Sequence, residues 1–108
     1  MLPISADKIA EVIILARELD RAQGEFYGFV DQLTEEEQYG LVAVFWIGRG
    51  SYEPEDLAEA LATAEREATT TTAEYLLGSP HLADHLEAGL EALGIDAASE
   101  EDALYRPA

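Results

Sequence analysis

A chain of 108 residues, 48% of them apolar, can build one small core and is too short for two ordinary domains. Its 23 acids against 6 bases leave a net charge of −17, a field that repels phosphate backbones and anionic lipid and so argues against direct contact with nucleic acid or a membrane surface. With no cysteine there are no disulfides, thiolate metal sites or cysteine nucleophiles, which fits a reducing compartment.

The first helix is expected to start at Ser5 as N-cap, with Ile9, Val12, Ile13, Ala16 and Leu19 along one face. Gly24 is expected to interrupt it. A short second helix follows in "EFYGFVDQL", with Phe26, Phe29, Val30 and Leu33 on its inner side. "TEEEQ" is the clearest start signal in the chain: Thr34 caps and Glu37, three residues on, reaches back, with two glutamates between them at the positive end of the dipole. The apolar run Leu41–Ile47 that follows reads better as a central buried helix than as a strand, because nothing else in the chain alternates as a partner strand would. Gly48 or Gly50 supplies the left-handed stop. "EPEDL" restarts a helix with Pro54 in its first turn, and Leu57, Leu61, Ala64 and Ala68 form a thin apolar stripe. The threonines at 69–72 mark a bend before "AEYLLG". Ser79 as cap and Pro80 at the first position then open a last helix whose inner face is Leu82, Leu86, Gly89, Leu90 and Leu93, closed by Gly94. The fold expected is all-α, a single bundle of five or six short helices over residues 1–94, with an acidic, unpatterned and mobile tail over 95–108.

The charge is uneven: residues 1–52 hold nine acids and four bases, and 53–108 hold fourteen acids and two bases. High net charge first of all keeps small proteins apart, and the sharper reading is a docking face for a basic protein partner. No basic segment precedes a long apolar stretch at the N-terminus, and the longest apolar run is far too short to span a bilayer. A soluble cytoplasmic protein is therefore expected, and its apolar fraction leaves room for a homodimer.

Among candidate sites, "HLADH" puts His81, Asp84 and His85 at helical spacing. Two histidines so placed can grip a metal, but Leu82 stands where a zincin has its glutamate, and a tight site needs another ligand from elsewhere. By helical angle the trio points away from the leucine stripe, toward water, so a pair of exposed polar residues is the simpler reading. The serines sit at turns or caps without a nucleophile elbow, and the glycines around "GRG" lack phosphate-loop spacing, so no catalytic residues and no cofactor are assigned. Trp46 reads as core with its N–H finding one partner. Arg49, between two glycines at the end of the central helix, reads as a corner clamp forking onto free carbonyls or carboxylates. If Arg49, Tyr75 and Trp46 lined one pocket, they would instead form a ligand or partner site.

The segments "ISADKIAEVIILARELD", "LVAVFWIGRG" and "TAEYLLGSPHLADHLEAGL" resemble a bacterial, mainly proteobacterial family, DUF3775, over residues 3–94. The resemblance is carried most specifically by Trp46, Gly48, Arg49 and Gly50, and by Thr72 through Gly78 with Pro80. It implies a small helical fold and brings no activity with it. The histidines of "HLADH" lie outside the family pattern, which weakens the metal reading. The function expected is a non-catalytic acidic interaction module. The alternative is a small-molecule or metal-binding regulatory domain that uses the Gly-Arg-Gly corner or "HLADH"; a pocket lined by Arg49, Tyr75 and Trp46 would favour it, and a flat acidic face without a pocket would favour the interaction module.

Overall fold

The computed structural model describes residues 2–68 and 70–95. The acidic C-terminal segment read as a tail falls, from residue 96 on, outside the described residues. Among the described residues six α-helices run in chain order, α1 (Ala6–Arg17), α2 (Leu19–Gln32), α3 (Glu35–Arg49), α4 (Leu57–Arg66), α5 (Thr72–Leu77) and α6 (Leu82–Ala92), with a 3-10 turn at Pro54–Asp56 before α4. There is no strand among the described residues, and the fold is the all-α bundle that the spacing predicts.

Helix α3 is the axis of the molecule. Every residue from Gly40 to Ile47 is buried, which is why its apolar run shows no helical periodicity: no side of it faces water. Its start is the capping box expected from "TEEEQ". The Glu37 N–H donates to Thr34 Oγ1 at 3.1 Å, and the Thr34 N–H donates to Glu37 Oε1 at 2.9 Å. Its end is a left-handed Gly50, φ 91°. Helices α6, α4 and α5 pack on α3, α1 packs on α6 and α2, and α2 also meets α5.

The closest of these crossings depends on two glycines. A Cβ at Gly48 would fall on the His85 carbonyl oxygen, and one at Gly89 would fall on the Val44 carbonyl oxygen. The backbones of α3 and α6 therefore touch, and Leu86 and Leu90 are fully buried beside them. Gly48 thus stays helical and serves the crossing, while Gly50 alone makes the left-handed stop. Ion pairs tie the outer layer down: Lys8 to Glu37 at 2.6 Å, and Arg17 to Glu87 at 3.0 Å.

Three sequence expectations need correction. The first helix breaks at Glu18 (φ −116°, ψ 27°), with a second kink at Ala22, and not at Gly24. Helix α2 continues through Gly24 and Gly28, because burying Phe26 and Val30 completely outweighs the cost of about 1 kcal/mol for each exposed helical glycine. On α4 the buried side chains are Ala60, Thr63 and Ala64; Leu57 and Leu61 are half-buried, and Ala68 is exposed. The last helix starts at Leu82, with His81 at its N-cap in a left-handed conformation, φ 59°. Ser79 lies two residues before that N-cap and closes α5 instead, its N–H donating to the Leu76 carbonyl at 3.0 Å and its hydroxyl to the Tyr75 carbonyl at 3.5 Å.

Candidate functional site

The two segments that single out this chain by sequence, around Trp46 and around Tyr75, meet in space. Trp46 lies on the last turns of α3 and is 9% exposed. Its indole Nε1–H donates to Tyr75 Oη on α5 at 2.8 Å. Tyr52, from the loop after α3, stacks on the indole with ring centroids 5.7 Å apart and planes 28° apart. Tyr52 Oη in turn donates to Thr63 Oγ1 at 3.1 Å, so the loop is tied to α4. Thr71 holds α5 in place by accepting the Glu74 N–H at 3.3 Å, which aims Tyr75 back at α3.

A pocket of about 170 Å³ opens between α3, the end of α4 and the start of α5. Val42, Trp46 and Ala64, all buried, make its floor, and the more exposed Tyr39, Glu67, Ala68, Thr70, Thr72 and Tyr75 surround its mouth. Tyr75 is 37% exposed, a large apolar ring left in contact with water. Tyr39 Oη donates to Glu35 Oε2 at 3.3 Å. Burial first, and then the charges of Glu35 and Glu65, push the Tyr39 phenol above its ordinary range, so the field at this wall is negative.

Of the residues proposed from sequence, Trp46 and Tyr75 share the pocket, and Arg49 does not line it. The Arg49 guanidinium lies 5.0 Å from the centre of the Phe45 ring, and its Nε–H donates to Ser51 Oγ at 3.1 Å. Among the described residues no carboxylate pairs with it, so the expected fork onto carbonyls or carboxylates does not form. A ring one helical turn before Arg49 offers its face within reach, and the exposed cation takes it. Phe45 is also the hub of the neighbouring cluster. Tyr75 meets it edge-on at 6.2 Å and His85 at 5.6 Å.

That contact corrects the reading of "HLADH" as water-facing at His85 alone. His85 is half-buried against Phe45, while His81 and Asp84 are exposed. His81 Nδ1 and Asp84 Oδ2 stand 4.0 Å apart, and the two imidazole centroids 6.4 Å apart. Among the described residues no three His, Asp or Glu side chains come together as a group that could hold a metal ion.

Sequence reasoning missed Tyr39, Glu67 and Tyr52. Tyr39, Val42 and Trp46 stand at i, i+3 and i+7, the spacing of one helix face, which was a usable signal for the first of these. Glu67 stands three residues after Ala64 and beside Ala68, two members of the apolar stripe expected from sequence, which was a weaker signal for the second; no spacing brings Tyr52 to the site.

Fold and site thus define a small all-α domain with an aromatic pocket along one side of its central helix. The family model described as "Protein of unknown function (DUF3775)" matches residues 23–95, and the chain belongs to that family. The match takes in α3 to α6 and the whole pocket, whereas α1 lies before it. No curated protein and no solved structure gives a significant match. No helix among the described residues is long and apolar enough to cross a membrane.

Proposed function

We propose that this domain is a non-catalytic interaction module of the bacterial cytoplasm that presents an acidic surface to a basic protein partner. The observation that carries the reading is the pocket itself. Three aromatic rings, one of them 37% exposed, stand beside Glu67, which has no ion-pair partner among the described residues, on a chain of charge −17. Exposed aromatic side chains rimmed by charge are the usual anchors of protein interfaces, and the charge steers a partner of opposite sign toward them.

The alternative, a small-molecule regulatory domain, draws on the same pocket. Its volume of about 170 Å³ is below the roughly 300–1,000 Å³ of sites that enclose a drug-sized ligand, so the interaction reading comes first. Native mass spectrometry of the domain purified from a bacterial host separates the two. The interaction reading expects the bare chain mass, together with capture from cytosol of basic proteins that are released by salt. A stoichiometric small molecule retained on the chain would reverse the order.

A further inference from the structure

We infer that the pocket between Tyr39, Trp46 and Tyr75 receives the guanidinium of an arginine side chain displayed by the partner, with Glu67 as its counter-ion. This rests on the reading of the domain as an acidic interaction module and names the group that it grips. Aromatic faces attract a cation through their quadrupole, and a planar guanidinium stacks on them while forking onto a carboxylate. Both elements are present on one small pocket. Its floor is apolar (Val42, Ala64 and the Trp46 ring), and its mouth carries one carboxylate and the hydroxyls of Thr70 and Thr72.

The alternatives for this pocket are disfavoured by its own chemistry. An anion would meet the Glu67 carboxylate and no cation to offset it, since among the described residues no Lys, Arg or His is in the lining and the Trp46 N–H is already given to Tyr75 Oη. The nearest arginine in sequence, Arg66, turns to Thr63 Oγ1 at 3.4 Å, and Arg49 lies over Phe45. Glu67 makes no ion pair among the described residues. The volume of about 170 Å³ suits one side-chain head group rather than a nucleotide-sized molecule. Lysine is a poorer fit, because its compact, strongly hydrated ammonium neither stacks nor forks.

Trp46 is the only tryptophan in the chain, so its emission reports on this pocket alone. The full chain is titrated at low salt with an acetylated, amidated peptide of alternating glycine and arginine, and with the same peptide carrying lysine or citrulline. The arginine peptide is expected to shift Trp46 emission saturably and to bind roughly tenfold more tightly than the lysine peptide. Glu67→Gln and Ala68→Leu, both at exposed positions, are each expected to weaken it by about tenfold, the first by removing the counter-ion and the second by filling the pocket. If arginine and lysine peptides bind equally, leave Trp46 emission unmoved and ignore Ala68→Leu, the arginine pocket is wrong while the acidic module stands. If neither basic peptide binds at low salt, both readings fall. Tight binding of the citrulline peptide would overturn the cation assignment.

Discussion

At the scale of single residues, the Trp46–Tyr75 hydrogen bond joins two segments 29 positions apart and fixes the wall of the pocket. Tyr75→Phe keeps the ring and strips the acceptor, leaving a mostly buried indole N–H without a partner. It should destabilise the domain by about 1–3 kcal/mol, read by urea denaturation, and change the Trp46 emission spectrum in the folded state. Arg49 presents a smaller effect. A guanidinium over Phe45 at an exposed site contributes about 0.5–1 kcal/mol, so Arg49→Ala should lower the unfolding free energy by that amount, seen as a lower denaturation midpoint, and Arg49→Lys by less. A midpoint that stays put or rises in Arg49→Ala would show a cation held for something other than the fold. The site was half legible in the chain at this scale. A single tryptophan near a helix end and a tyrosine in a specific motif stood out, whereas Tyr52 reaches the site through a loop that no periodicity encodes, and Glu67 was read only as part of the acidic surface.

At the scale of helices, Glu37 does two jobs. It closes the capping box of α3, and it accepts the Lys8 ammonium of α1 at 2.6 Å. The Lys8 hydrogen bond first, and the Thr34 backbone N–H second, hold its carboxyl below the ordinary value of 4.5. A depressed folded-state value means that this stabilisation is complete above the unfolded value and fades as pH falls through the folded one. Between neutral pH and about pH 3, the wild-type denaturation midpoint should therefore fall further than that of Glu37→Gln, with the divergence confined to the region below about pH 4.5. The α3–α6 crossing gives a second test at this scale. Gly48→Ala pushes a methyl into the His85 carbonyl and should cost about 3 kcal/mol or more. Gly24→Ala meets nothing within 4 Å and should stabilise α2 by about 0.5–1 kcal/mol. Both are read as shifts in the thermal or urea midpoint.

The elements also mark where sequence reading succeeds and where it stops. The capping box and the uninterrupted apolar run define α3 unaided, because local hydrogen bonding and total burial agree there. The break at Glu18 and the start of α6 after His81 are set by tertiary demands. Phe26 and Val30 have to reach the core, and Ser79 is already committed to closing α5. A glycine at 24 and a Ser-Pro pair at 79–80 are honest local signals that those demands override.

At the scale of the whole molecule, α4, α5 and α6 pack directly on the buried helix α3, and the pocket lies along that helix from Tyr39 to Trp46. The rest of the surface is dominated by carboxylates, and charge alone attracts any basic protein weakly and without preference. Selectivity has to come from a shaped feature, and the aromatic pocket is the place proposed for it. The most direct measurement is therefore side-by-side capture of bacterial proteins by the immobilised wild-type domain and by Ala68→Leu, which has the same net charge and a filled pocket. At equal, near-physiological salt, the wild type is expected to retain a discrete basic protein in near one-to-one amount, and Ala68→Leu to lose most of it. Equal retention by the two, or retention only of a diffuse set of basic proteins by both, would contradict a pocket-directed interaction module.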